Sequence, residues 1–405
     1  MNNRFIKILY SAICVLIFQT AGSQSPLHDA LLRSVHLRNS GRFAEALKLA
    51  DSVLNAGTDY RILLEKGEAE LGLSRYDEAM ESFRKASDAR KHSGAFGLAR
   101  VYAVKGDAVT SLRYLEENLA SGYRAGDRAC HSDRFLAKIE LRPEWKRYWE
   151  KERHSPAEVI LDEVTYLISR GMTEEAELLL EAAGHDELGT RELVYARSLV
   201  AYAKGDFKST VNLLTDAGDY GNLSYRANRL LADSYLAAGD YRQAISVYTS
   251  LINAETPDLN LFSSRASGYR GLMDFGRAMT DLNYYLSINA GDGGVLRAAA
   301  SVAAEAGDTG NSLRLLNRLI SAEPGNREAW VERGNMWSTT GMWNNAISDY
   351  AMALDLDPVD GDVYLRKAEA LMKTGNTAEA CSDLRMALRY GNRKASEIYN
   401  RHCIK

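Results

Sequence analysis

A period of 34 residues runs through this chain and constrains its fold more than any other feature. Ala176, Thr210, Ala244, Ala278, Ser312, Ala346 and Ala380 follow one another at a single interval, from 210 − 176 = 34 to 380 − 346 = 34. Upstream, Ala46, Ala79 and Ser111 form a similar series, with steps of 79 − 46 = 33 and 111 − 79 = 32. A fixed period of this length marks stacked units, each too small to bury its own apolar face, so that neighbours share one core. Within 327–353, Trp330, Arg333, Gly334 and Trp337 recur at spacings of three and four, which is one face of a helix. Ala346, Tyr350 and Ala353 form a second stripe, with Gly341 between the two, and Pro358 ends the unit because its ring cannot continue the hydrogen-bond ladder. Each unit is therefore predicted as two amphipathic helices joined by a tight turn. The turn glycine returns as Gly41, Gly106, Gly171, Gly205, Gly239, Gly307 and Gly375, and in several units an Asp or Asn able to cap the next helix follows it.

Composition agrees with helix: only 6 Pro occur in 405 residues, among long stretches rich in Ala, Leu and Glu. The 50 Lys and Arg stand against 54 Asp and Glu, a net charge of 50 − 54 = −4, so the chain lacks the basic excess of a dedicated nucleic-acid binder. Its 4 Cys are too few for a disulfide-built scaffold, and the core must come from apolar burial.

The units resemble the tetratricopeptide repeat family. Trp330, Gly334, Trp337, Ala346, Tyr350, Ala353 and Pro358 match its pattern of aromatic and small residues, as do Ala232, Tyr235, Tyr241, Ala244 and Tyr248, and Gly67, Tyr76, Ala79, Phe83 and Ala86. Ala303, where an aromatic is usual, and Met273, in place of a turn glycine, depart from it. The resemblance implies an all-α fold, a right-handed superhelical solenoid of helix-turn-helix repeats. We read residues 24–153 as an N-terminal array with degenerate capping helices, 154–392 as a C-terminal array of about seven repeats, and 393–405 as a capping helix. A bent but continuous solenoid is the alternative. The interval from Ser111 to Ala176 holds no clean repeat, and Asp133, Leu136, Ile139, Trp145 and Tyr148 are candidates to cover an exposed helix face there.

In the resembling family the first helices of successive units line a concave groove that takes an extended peptide or a partner helix. By register, the groove positions here are Tyr195, Tyr202, Arg226, Arg229, Asp233, Asn260, Ser263, Ser267, Arg270, Arg297, Ser301, Asn335, Ser338, Asp362 and Glu369. Arg, Ser and Asn can donate to peptide carbonyls or carboxylates. A solvated inner face without a ligand is the alternative. The midpoint of Cys381 and Cys403, (381 + 403)/2 = 392, falls on the Gly391-Asn392 turn, so the two sulfurs meet if the flanking helices form a hairpin. In an oxidising compartment that allows a disulfide; two reduced, buried thiols are the alternative. This ending also resembles that of exported bacterial members of the family.

Arg4 and Lys7 precede an apolar run from Ile8 to Phe18, and Ala21, Gly22 and Ser23 follow, which is the order of a secretory signal peptide over 1–23. The run of 18 − 8 + 1 = 11 residues is short of the roughly 20 that a spanning helix needs. Cleavage is expected, with an uncleaved anchor, a buried N-terminal helix or a lipid on Cys14 as alternatives, giving a protein that does not span the membrane and resides in the periplasm or cell envelope.

Catalytic and metal-binding patterns are sparse. No two of the 7 His stand three or four apart, and no phosphate loop or nucleophile elbow occurs. Cys130-His131 is a lone pair without a second half, and Asp355, Asp357, Asp360 and Asp362 lack calcium-loop spacing. Neither a metal nor another cofactor is expected. The predicted function is a non-catalytic, exported scaffold that binds protein or peptide. The alternatives are a structural subunit of an envelope assembly, using its convex face or ends, and an enzyme with an unrecognised site.

Overall fold

The computed structural model describes residues 25–123, 125–151, 155–183, 191–216 and 220–404. The segment read as a signal, Cys14 within it and the array boundary at 153–154 lie outside these residues. Among the described residues there are 23 α-helices and no strand. Their contacts divide the chain into two compact units, one reaching Leu231 and including Leu251–Asp258, the other formed by Ala232–Ser250 and Leu259–Lys405.

The first unit opens with three hairpins. These are α1 (Pro26–Asn39) with α2 (Phe43–Leu54), α3 (Tyr60–Gly72) with α4 (Tyr76–Ala89), and α5 (Ala95–Val104) with α6 (Ala108–Leu119). The third hairpin is followed by short pieces rather than another hairpin: α7 (Asp127–Ser132), a 3-10 turn at Leu136–Lys138 and α8 (Pro143–Trp149). Cys130, Leu136, Ile139, Trp145 and Tyr148 from these pieces pack with Ala99, Ala103, Leu112 and Leu115 in one core. Hairpins then resume as α9 (Pro156–Ser169) with α10 (Thr173–Ala182) and α11 (Arg191–Ala203) with α12 (Phe207–Asp216). Ser155 and Glu158 close a reciprocal capping box at the start of α9.

Two helices, α13 (Ser224–Ala237) and α14 (Tyr241–Asn253), run across the division between units. The second unit continues with α15 (Asn260–Gly271) and α16 (Phe275–Ile288), α17 (Gly293–Glu305) and α18 (Thr309–Ala322), α19 (Arg327–Thr339) and α20 (Trp343–Leu356), α21 (Gly361–Lys373) and α22 (Thr377–Arg389), and ends in α23 (Ala395–His402). The tight turns between helices need a left-handed residue. Met273 meets that need with φ 58°, close to the glycine value it replaces, at a conformational cost of about 1 kcal/mol.

One offset explains the repeat's small residues. Phe83 lies 16 residues after Gly67 and Tyr350 lies 16 after Gly334, and a Cβ on either glycine would stand 2.7 Å from the ring of its partner. The aromatic of the second helix thus packs on the bare backbone of the first. A neighbouring register at the same offset carries charge. Arg265 donates to both oxygens of Asp281 at 2.8 Å, Arg333 pairs with Asp349 at 2.7 Å and Lys367 with Asp383 at 3.2 Å. Arg265 also reaches Thr249 (3.2 Å) and Arg333 reaches Asn317 (2.7 Å), so each guanidinium ties the second helix of its own repeat to that of the preceding one.

At the C-terminus, Cys381 and Cys403 are bonded, with Cα atoms 5.6 Å apart. Ala395, Ile398 and Tyr399 of α23 pack on Leu365, Ala368, Leu371 and Leu384. Replacing both cysteines with serine removes a link across 22 residues and is expected to cost the terminal hairpin about 3 kcal/mol in the chain-entropy account. Faster amide exchange across α22 and α23 is the measurement; unchanged protection there would rule the effect out.

Candidate functional site

The first helices α15, α17, α19 and α21 carry a run of polar side chains that bridge one repeat to the next. Arg270 of α15 pairs with Glu305 of α17 and donates to Ser301 at 3.1 Å. Arg297 of α17 donates to Glu332 of α19 at 2.7 Å, and Arg366 of α21 donates to Asn335 of α19 at 3.0 Å. Side chains that touch across neighbouring first helices must share a face, so Arg270, Ser301, Arg297 and Asn335 line one common surface. Ser338 lies 3.1 Å from the Tyr350 hydroxyl, which also donates to Asn335. Asn260 accepts from Tyr285, Ser263 and Ser267 hydrogen-bond back along α15, and Asp362 accepts from Asn392 at 2.6 Å. Glu369 is exposed, and Asp233 accepts from Tyr248 at 2.5 Å.

Four of the residues expected to line a groove lie in the first unit. Arg229 pairs with Asp258 at 3.1 Å and Arg226 is exposed. Tyr202 makes an edge contact with Phe207. Tyr195 requires a correction, because it is 7% exposed and sits in the core with Leu193, Ala196 and Val200. Its place on α11 turns the ring towards the neighbouring helices rather than towards a ligand. Arg270 and Arg297 already hold carboxylates of adjacent repeats, although exposed pairs of this kind contribute only about 0–1 kcal/mol each and exchange readily.

Spacing alone did not reveal a cavity of about 780 Å³ in the first unit. Its walls come mainly from α1, α3, α5 and the stretch that breaks the repeat, with Phe43 of α2 and Phe83 of α4, and include Arg38, Glu65, Glu68, Phe96, Arg100, Asp133, Arg134 and Phe135. Arg38 donates to Glu65 at 2.7 Å, and Arg100 holds Glu68 at 2.5 Å and Asp133 at 3.0 Å. Burial pushes the Glu65 carboxyl above the usual carboxylate range while Arg38 pulls it back. The Arg100 guanidinium lies over Phe96 (5.4 Å) and Phe135 (4.9 Å), and Arg134 covers Phe135 at 4.6 Å. Rings and guanidiniums therefore alternate through the wall as Phe96, Arg100, Phe135 and Arg134. Asp133 was expected to cover a helix face; its carboxylate instead anchors this wall. The available signal was the failure of the repeat between Ser111 and Ala176, since breaks in an otherwise consistent pattern are where function is expected.

Among the described residues, no group of three or more His, Cys, Asp or Glu is arranged to hold a metal ion. Cys130 is buried, and burial, reinforced by Asp127 and Asp133, pushes its thiol up to about 12. At neutral pH it is a packed thiol rather than a thiolate nucleophile.

Family models described as tetratricopeptide repeats match residues 31–94 and 297–360, and another of the same description matches 229–261. The chain is a tetratricopeptide-repeat protein. Proteins of this kind generally act as non-catalytic scaffolds that bind other proteins. No curated protein matches the chain significantly. Among solved structures, a chain of the APC/C hetero-tetramer Cut9–Hcn1 is similar at 14% identity and a TM-score of 0.44, covering 93% of this tetratricopeptide-repeat chain and 83% of its own. A tetratricopeptide repeat protein from Parabacteroides merdae ATCC 43184 is similar at 19% identity and a TM-score of 0.43, over 60% of this chain and 97% of its own. MamA from Desulfovibrio magneticus RS-1 is similar at 16% identity and a TM-score of 0.38, over 41% of this chain and 93% of its own. Among the described residues of this repeat protein, no helix is long and apolar enough to cross a membrane.

Proposed function

We propose that this tetratricopeptide-repeat chain is an exported, non-catalytic scaffold that binds a protein or peptide segment along the first helices of its second unit. The observation that carries this reading is the common polar face on which Arg270, Ser301, Arg297 and Asn335 meet across α15, α17 and α19. The apolar side chains of those helices are consumed by the shared core, while this face keeps donors and acceptors at regular intervals. Export is supported by Arg4, Lys7, the apolar run Ile8–Phe18 and the small residues after it, and by a disulfide that suits an oxidising compartment.

Two measurements test the proposal. Affinity capture from envelope extract with the mature chain is expected to recover a partner that is lost with Arg270→Glu plus Arg297→Glu; identical recovery with both proteins rejects binding on this face. Mass spectrometry of the protein isolated from cells is expected to find Gln24 as its first residue, and an intact Met1 on the envelope-localised protein would reject cleavage. A second reading, a structural subunit of an envelope assembly, draws on Met352 and Leu356 at the end of α20 and Val359 in the turn after it, which are 41%, 44% and 58% exposed. In that case the double charge reversal leaves assembly intact, and Val359→Asp disrupts it.

A further inference from the structure

The wall of the first-unit cavity is unevenly matched in charge. Its three carboxylates are all satisfied internally: Glu65 by Arg38, and Glu68 and Asp133 by Arg100. Its third cation is not. Arg134 is exposed, lies over Phe135 and makes no ion pair among the described residues. The alternation of rings and guanidiniums thus ends on a cation whose outer face and N–H edge are both available. A guanidinium offers its face to an aromatic ring and its edge to a carboxylate at the same time. A basic ligand would have to pull Glu65 away from Arg38, leaving a guanidinium without its counter-charge in the same wall. The volume of about 780 Å³ also lies within the range of roughly 300–1,000 Å³ typical of ligand pockets, enough for a short stretch of chain rather than a single side chain.

We propose that this cavity binds an extended protein segment carrying an aromatic residue next to Asp or Glu, with the ring stacking on Arg134 and the carboxylate taking its N–H edge. Phe135 backs the stack and Phe96 with Arg100 stiffens it. The proposal deepens the scaffold reading by giving the chemistry of a bound segment, and it rests on that reading, but it assigns the segment to a different surface from α15, α17 and α19.

Panning the full-length mature chain against a displayed library of random dodecapeptides tests it. The expected result is enrichment, by about tenfold or more, of sequences with Phe, Tyr or Trp within two positions of Asp or Glu. That enrichment is expected to vanish with Arg134→Glu, to fall with Phe135→Leu, and to persist with Arg270→Glu plus Arg297→Glu. Arg134 is exposed, so its replacement leaves the fold intact, which circular dichroism verifies. Enrichment that survives Arg134→Glu but disappears with the Arg270 and Arg297 changes overturns the cavity assignment and leaves the scaffold reading standing. Enrichment of basic sequences overturns the assigned chemistry, and no enrichment by the unmodified chain overturns both.

Discussion

Replacing Arg265 with leucine is expected to destabilise the second unit by about 3–5 kcal/mol. Arg265 is 8% exposed and Asp281 5%, and the two share two hydrogen bonds of 2.8 Å. Removing the guanidinium leaves a carboxylate buried without a counter-charge, and Asp281 is already pushed above the usual carboxylate range by burial. The same change takes away the bond to Thr249, so the second helices of two successive repeats lose a common tie. Equilibrium urea unfolding, with amide exchange to localise the loss to α14 through α17, is the measurement. Changing both residues, Arg265→Leu with Asp281→Leu, removes the unpaired charge as well and is expected to recover most of the loss. A single-variant cost below about 1 kcal/mol would show the pair to be no stronger than an exposed one such as Arg270–Glu305.

Phe83→Ala is expected to cost the first unit about 3–5 kcal/mol. The ring is 1% exposed and lies between two bare helix backbones, since a Cβ on Gly67 of α3 would stand 2.7 Å from it and one on Gly97 of α5 would stand 2.5 Å away. The glycines that face the ring, Gly67 and Gly97, have no side chain to refill the gap, so the transfer loss and the void add together. Phe83 also contributes to the cavity wall, and its loss is expected to weaken segment binding along with stability. Gly97→Val tests the same packing from the other side, because it forces atoms into the space the ring holds, at a cost of about 1–3 kcal/mol. Thermal unfolding of the three proteins side by side checks both; a Phe83→Ala protein as stable as the parent would mean that the ring is not the keystone of this hairpin stack.

Hairpin positions and turn residues were readable because each is local and recurs, so a single aligned column reveals it in every unit. The contact of Gly334 with Tyr350, 16 residues on, was settled only by the packing of the two helices. The expected lining residues fared unevenly for a related reason. Register identified the first helix and its polar side, yet it could not tell that Arg270 and Arg297 would each turn to a glutamate 35 residues on, or that Tyr195 would rotate into the core. Those outcomes depend on rotamers and on the rise between neighbouring hairpins, which no one-dimensional pattern encodes.

The stretch from 120 to 151 marks where pattern reading ends. Its failure to repeat was visible, but the wall in which Arg100 links Phe96 and Glu68 to Asp133 and Phe135 joins two repeat helices to a stretch that shares no period with them. The same holds at the start of α1. Ser25 and Arg61 both donate to Glu255, at 2.6 and 2.8 Å and across 230 and 194 residues, and His28 lies 2.9 Å from the Thr256 carbonyl oxygen, 228 residues on. Glu255 is held there with φ 53°, a conformation unfavourable to a residue with a Cβ. Helix, turn and shared apolar seam were thus written into 34-residue steps, because nearest-neighbour burial is a property of each unit and the next. The cavity and the closure on Glu255 were settled only in three dimensions, where side chains from distant and dissimilar segments are brought within bonding distance.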